Sequence, residues 1–247
     1  MKISQSVRHL GGALLLAGMA QASHAFVISS AGSWNATGLD TNLNASISSQ
    51  DDIDTGLISG TNNRISWGAD VADPSSRRSF WQYDGVTEFN FTSLADIQLG
   101  EFSHRNNIIP VGGIFNPIFN IDILLAETAL DYTNGNFLVD ETYSFEFVHN
   151  ETLNVAPCPF PGTAPCSDRV EIPDASATIV IDGTPYTLQI AGFLDDSGTL
   201  QPFMITNEEA LQSASVQAGI TVTEPATLAL FGLSLLSLGA LRRRNKA

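Results

Sequence analysis

From Ser213 to Val222 the chain alternates without a break, with Ala214, Val216, Ala218, Ile220 and Val222 on one parity and Ser213, Ser215, Gln217, Gly219 and Thr221 on the other. Only an extended backbone sends successive side chains to opposite faces, so this pattern predicts a strand with one buried face. The same period recurs upstream. Phe89 and Phe91 alternate with Glu88 and Asn90, and Phe119, Ile121 and Ile123 alternate with Asn120 and Asp122. Tyr143, Phe145 and Phe147 share one parity, opposite Ser144, Glu146 and Val148. Between residues 26 and 222 no segment sustains the 3.6-residue apolar period of an amphipathic helix. Bundles and doubly wound folds are thereby excluded.

Turn chemistry supports the same class. Ala177–Ile181, Asp182-Gly183 and Thr184–Ile190 read as a hairpin, because Asp-Gly suits the positive φ of a two-residue loop. Pro185 has no N–H to give a ladder and belongs at a strand start or an edge. Asp195–Gly198 and Asp131–Gly135 read as further turns. Residues 33–73, rich in Asn, Ser, Gly and Asp, read as mostly loop, and Glu208–Leu211 as a single helical turn. Many short strands at turn-bounded spacing predict an all-β, antiparallel β-sandwich of jelly-roll kind, one domain over residues 26–222.

The two ends have a different character. Lys2 and Arg8 precede an apolar stretch from Leu10 to Ala20, followed by small residues up to Ala25. That is the layout of a signal peptide over residues 1–25, cleaved after Ala25 or, nearly as well placed, after Ala22. At the other end Glu224-Pro225-Ala226 opens an uncharged run that continues to Leu241, and Arg242, Arg243 and Arg244 follow. The sixteen residues from Ala226 to Leu241 make a helix of about 24 Å, short of a roughly 30 Å hydrocarbon core but insertable with snorkelling flanks. Arginines beyond the run stay cytoplasmic, which places everything before Thr223 outside. Residues 223–247 resemble the PEP-CTERM sorting signal of Gram-negative bacteria, with Thr223 where that motif usually has its first proline. The resemblance implies passage through the secretion machinery and a transient inner-membrane anchor. It also implies cutting near Glu224-Pro225 by an exosortase-type membrane protease, with an extracellular polysaccharide matrix as the usual destination.

Without its ends the chain is strongly acidic. Residues 26–222 hold five arginines and no lysine against 25 acidic residues, a net charge of −20. Such a surface repels nucleic acid and anionic lipid. Cys158 and Cys166 have seven residues between them in a proline-rich loop, too many for a CxxC redox site and without a second pair for zinc. In an oxidising compartment they are expected to form a structural disulfide.

Ser103-His104-Arg105-Asn106 ends a predicted strand. With the tail, this tetrapeptide resembles the THxN family of PEP-CTERM proteins, Ser103 standing for the threonine; the family carries no assigned activity, so the likeness implies no mechanism. In a strand, Phe102, His104 and Asn106 share one face and Ser103 the other, so His104 cannot serve as base to its neighbour. The expectation is a histidine that locks a turn through both ring nitrogens, the alternative being a His–Asn pair that bonds a loop or grips a sugar hydroxyl. His149, the other histidine after the leader, is expected at the rim of the core, with metal binding as the alternative. Two histidines alone do not supply a zinc triad, so no metal or cofactor is expected.

No Gly-x-Ser-x-Gly elbow marks a hydrolase. Asp51-Asp52-x-Asp54, Asp140-Glu141 and Asp195-Asp196 do not follow calcium-loop spacing and read as solvated loop acids. Asn-x-Ser/Thr sequons at Asn35, Asn44, Asn90 and Asn150 read as chance matches. Trp34, Trp67 and Trp81 either stack on sugars or fill the core, with the core as the default. The sequence therefore points to a non-enzymatic exported surface or matrix protein, with a carbohydrate-binding module or glycoside hydrolase as the alternative.

Overall fold

The computed structural model describes residues 26–35, 45–49, 62–68, 78–109, 113–115, 117–161, 163–173, 175–181 and 183–222. The first strands are β1 Phe26–Trp34, β2 Ser46–Ser48, β3 Arg64–Trp67, β4 Ser79–Gly85, β5 Phe89–Phe91, β6 Ile97–Arg105, β7 Gly113–Phe115 and β8 Ile118–Ala126. A short helix, α1 Ala129–Asn134, precedes β9 Val139–Glu146, β10 Val148–Glu151, β11 Asp168–Glu171 and β12 Ser176–Ile181. The chain continues through β13 Thr184–Leu194, β14 Leu200–Gln201, β15 Phe203–Thr206 and β16 Leu211–Val222.

Among the described residues every strand pairing is antiparallel. One sheet runs β5-β1-β8-β9, a second β15-β11-β10-β7, and a large one β12-β13-β16-β6-β4-β3-β2 with β14 on β13. The first two are joined by a bent ribbon. Ile118 pairs with Glu146 on one side of the bend and Phe115 with His149 on the other. The inward parity of Tyr143, Phe145 and Phe147 therefore runs on into His149 and Glu151, all buried.

This curved layer packs on the large sheet, and aromatic rings fill the gap between them. Trp34 of β1 lies 4.7 Å from the Phe119 ring centre, 5.1 Å from Phe147 and 5.3 Å from Trp81 of the opposite sheet. Phe102 of β6 stacks on Phe147 at 5.5 Å, and Tyr83 of β4 meets Phe119 edge-on at 4.8 Å. Tilted and edge-on rings at such spacing add about 0.5–1.5 kcal/mol per pair to the burial itself. Two sheets sharing one aromatic core is the packing of a sandwich. The layers also come very close at Gly85, where an added Cβ would stand 1.9 Å from the Ser30 carbonyl oxygen.

The hairpin has its two-residue loop. Ile181 pairs with Thr184, and Gly183 adopts φ 76°. Pro185 lies next to the described β13–β16 ladder, which begins at Tyr186 opposite Val222, at the start of β13. Asp195–Gly198 also turns as expected, with Gly198 N–H donating to the Asp195 carbonyl at 2.9 Å.

Three local expectations are corrected. Residues 131–135 belong to a helical turn rather than a bare loop, because the Thr128 hydroxyl accepts the Asp131 N–H and Gly135 closes the end at φ 72°. Glu208–Leu211 is no helical turn: Ala210 N–H returns to the Asn207 carbonyl at 3.2 Å, Glu209 sits at φ 59°, and Leu211 starts β16. Within residues 33–73, read as loop, β2 and β3 form, with Ile65 and Trp67 buried on one face. Four residues are too few for a periodic signal to stand out.

Cys158 and Cys166 form the expected disulfide, with Cα atoms 5.2 Å apart. The signal peptide and the C-terminal sorting segment lie outside the described residues. No described helix is long and apolar enough to cross a membrane.

Candidate functional site

The buried polar groups of the core gather at one end of the aromatic layer, where β6 and β3 of the large sheet face β10, β11 and β15. His104 descends from β6, His149 and Glu151 from β10, Asp168 from β11 and Thr206 from β15. None of these five side chains is more than 2% exposed. Pairing brings them together: Asp168 is opposite Thr206 in the β11–β15 ladder, and Asn150 opposite Arg169 places Glu151 beside Asp168.

The Ser103–Asn106 tetrapeptide clamps the end of β15. His104 Nδ1 lies 3.0 Å from the Thr206 hydroxyl, and the Asn106 amide donates to the Thr206 carbonyl at 3.1 Å. The Asn106 backbone N–H donates to the Ala210 carbonyl at 2.9 Å, and the Ser103 hydroxyl pairs across the ladder with Ser213 at 2.6 Å. Phe102, His104 and Asn106 share the inward face, as the strand reading required. The histidine, however, locks the turn through a single ring nitrogen. Its Nε2 is buried and has no hydrogen-bond partner among the described residues. Strand β15 supplies one hydroxyl, and one hydroxyl can serve only one nitrogen.

His149 is not at the rim. It is fully buried, its ring centre 4.9 Å from Trp67, 5.0 Å from Trp81 and 5.2 Å from His104. The bend of the β9–β10 ribbon keeps its parity pointing inward beyond the last aromatic. His149 Nε2 stands 3.2 Å from Glu151 Oε2, which also accepts the Trp67 indole N–H at 2.7 Å, and 3.7 Å from Asp168 Oδ2. Asp168 Oδ1 accepts the Thr152 backbone N–H at 2.8 Å. Glu151 and Asp168 contact each other, yet Glu151 Oε1 and Asp168 Oδ2 receive no N–H or hydroxyl donor.

Burial governs the protonation of this cluster. It holds His104 well below the ordinary imidazole range, His149 adding to the effect, and it pushes His149 down to about 3. Both rings are therefore neutral at physiological pH. Burial first, and mutual repulsion second, push the Asp168 carboxyl up; Glu151 is also raised, mainly by burial. The pair keeps protons at a pH where exposed carboxylates have lost theirs.

The other candidates lie apart from this centre. Asp140 and Glu141 are exposed on β9, Glu141 accepting the Tyr143 hydroxyl at 3.0 Å. Asp195 Oδ1 accepts the Ser197 and Thr199 backbone N–H groups, so it staples its own turn. Asp51, Asp52 and Asp54, and the sorting residues Glu224, Pro225 and Ala226, lie outside the described residues. Trp34, Trp67 and Trp81 are all buried, so none offers a ring to a sugar. Two surface clefts, of about 190 Å³ beside Phe193, Gln201 and Met204 and about 220 Å³ beside Ser29, Gly85 and Tyr132, are smaller than the roughly 300 Å³ at which ligand pockets begin.

The carboxyl pair was missed by sequence reasoning, although a signal existed. Glu151 continues the parity of Phe145, Phe147 and His149, and a charged residue on an apolar face implies a buried partner. Asp168 carried no comparable mark. Its inward parity is set by Val170 alone, in a strand of four residues.

Residues 221–244 match the family model described as the PEP-CTERM protein-sorting motif. No curated protein matches the chain. The motif supports an exported protein that transits the membrane and is processed by exosortase, itself a membrane protein.

Proposed function

Taking that sorting signal as premise, we propose that the chain is a non-enzymatic component of the cell surface or extracellular matrix. The signal peptide delivers it to the secretion machinery, and the C-terminal helix holds it briefly in the inner membrane with its single β-sandwich domain outside. Exosortase then releases it near Glu224-Pro225, and its destination is an exopolysaccharide-rich layer. The likeness of Ser103-His104-Arg105-Asn106 to the THxN motif supports grouping it with the THxN proteins of this sorted class.

One observation carries the non-enzymatic part of this reading: the groups with the strongest chemistry, His104, His149 and Asp168, are each 0% exposed. A substrate would have no route to them in the folded domain. The acidic exterior, −20 over residues 26–222, supports the same reading, since it keeps a matrix component soluble and repels phosphate-rich partners. The alternative of a sugar-binding module or glycosidase loses support from the burial of all three tryptophans.

Mass spectrometry of secreted material tests the route. Peptides are expected through Val222 and none from Ala226 to Leu241; cytosolic chain with both ends intact and reduced thiols would sink it. Glycan-array binding together with hydrolysis of a polysaccharide would replace the scaffold reading by the carbohydrate-active one.

A further inference from the structure

A buried imidazole with an unmet nitrogen, His104 Nε2, beside the Glu151 and Asp168 carboxyl oxygens that receive no N–H or hydroxyl donor, forms an arrangement that the hydrogen bonds among the described residues do not satisfy. The ligand atoms of His104, His149 and Asp168 all lie within 4.8 Å of one another. Those of Glu151, Asp168 and Glu208 form a second, overlapping group within the same limit. Bonds of about 2.0–2.2 Å from nitrogen and oxygen to a tetrahedral divalent ion set donor atoms about 3.3–3.6 Å apart. His149 Nε2 stands 3.2 Å from Glu151 Oε2 and 3.7 Å from Asp168 Oδ2, which brackets that spacing.

We propose that His104 Nε2, His149, Asp168 and Glu151 form a closed structural site for one first-row divalent metal ion of the zinc class, buried between the two layers of the sandwich.

The ligand chemistry selects the ion. Two imidazoles and two carboxylates suit zinc, cobalt or manganese, whereas calcium and magnesium take oxygen ligands. Charge balance favours occupancy. Two carboxylates and two neutral rings carry −2, so a divalent ion makes a neutral unit, which a dry interior tolerates. Without the ion the same neutrality requires the carboxyl groups to hold protons, so loading exchanges protons for metal.

The supporting shell is also present. His104 Nδ1 is held by the Thr206 hydroxyl at 3.0 Å, which fixes the ring and directs Nε2 inward. The Trp67 indole on Glu151 and the Thr152 N–H on Asp168 orient the carboxylates in the same way. With four protein ligands no coordination position stays open to a substrate. The burial of the site also means that the ion enters as the domain folds, after export.

The test uses the chain as secreted, treated with chelator, dialysed, and titrated with Zn²⁺, Co²⁺, Mn²⁺, Ca²⁺ and Mg²⁺ against a competing chromophoric chelator. One equivalent of Zn²⁺ is expected, at least about 100-fold tighter than Ca²⁺, with the visible absorption of tetrahedral Co²⁺ on cobalt loading. Asp168→Asn and His104→Phe should each weaken Zn²⁺ at least about 100-fold, since even supporting residues of a metal shell cost 10–100-fold. Asp195→Asn, in a turn apart from this centre, should leave affinity unchanged. Uptake well below one equivalent by folded wild type, or Ca²⁺ binding equal to Zn²⁺, overturns the site. So does zinc affinity unchanged in two folded variants. If both variants fail to fold, the cobalt spectrum of the wild-type chain decides alone, and its absence refutes imidazole ligation.

Discussion

Thr206→Val isolates the clamp between the two layers. Valine has the shape of threonine, so the substitution opens no cavity, and the backbone carbonyl that accepts the Asn106 amide stays in place. What disappears is the hydroxyl 3.0 Å from His104 Nδ1, leaving a fully buried imidazole nitrogen with no partner in a metal-free protein. Stranding one buried polar group costs about 1–3 kcal/mol, whereas removing both partners is close to neutral. Thr206→Val should therefore lower unfolding free energy by about 1–3 kcal/mol. In a cycle with His104→Phe, the double variant should be more stable than the two losses predict, by about 0.5–3 kcal/mol. Urea unfolding of chelated protein, followed by the fluorescence of the three core tryptophans, measures each corner. A Thr206→Val variant within about 0.5 kcal/mol of wild type, with additive losses in the cycle, would show that the contact does not bind the layers.

Chelated protein should lose stability as pH rises above about 7, where imidazoles no longer titrate. The Asp168 and Glu151 carboxyls, facing each other, His149, His104 and Glu208, retain protons that the unfolded chain has released. The slope is at most about 1.4 kcal/mol per pH unit for each retained proton, and Asp168→Asn should flatten it in denaturant titrations at stepped pH. Replacing Cys158 and Cys166 together by Ser should cost about 2.5 kcal/mol by loop-closure entropy, read from thermal melts with and without reductant. Gly85→Ala should destabilise by about 1–3 kcal/mol, because its Cβ would meet the Ser30 backbone rather than a side chain that could swing away. Phe102→Ala should cost about 3–5 kcal/mol by the same denaturation assay, since Phe102 packs on Trp81 of its own sheet and on Trp34 and Phe147 of the opposite layer.

The architecture was legible wherever a strand was long enough for its period to repeat. The alternating runs at 213–222 and 119–123 fall in β16 and β8, with Ala214, Val216, Ala218 and Ile220 and Phe119, Ile121 and Ile123 buried as predicted, and the Asp-Gly step became the hairpin loop. Parity also placed His104 with Phe102 and Asn106. The site itself was only half visible, because it depends on pairings between residues about 100 positions apart, such as His104 with Thr206. Periodicity gives the face of a residue but not what stands opposite. His149 was assigned to the rim because the aromatic run ends there, and nothing local announces that the ribbon bends and keeps its inner face buried. The tail was legible for another reason: a sorting motif, an apolar run and a basic cluster are read by membrane and protease directly, without a tertiary fold.

Strand β16 ends against Tyr186 at Val222, and Glu224 follows two residues later. Two residues of extended chain span about 7 Å. On the proposed route, in which the segment from Ala226 is inserted before release, so short a connection keeps the domain close to the bilayer, with the tip of the β12–β13 hairpin, beside Val222, nearest the lipid. A protease that needs several extended residues in its groove must draw on the last rungs of a central strand. The rate of release is thereby tied to fraying at that end of the sheet, and lengthening the connection after Val222 with a few glycines and serines should quicken it.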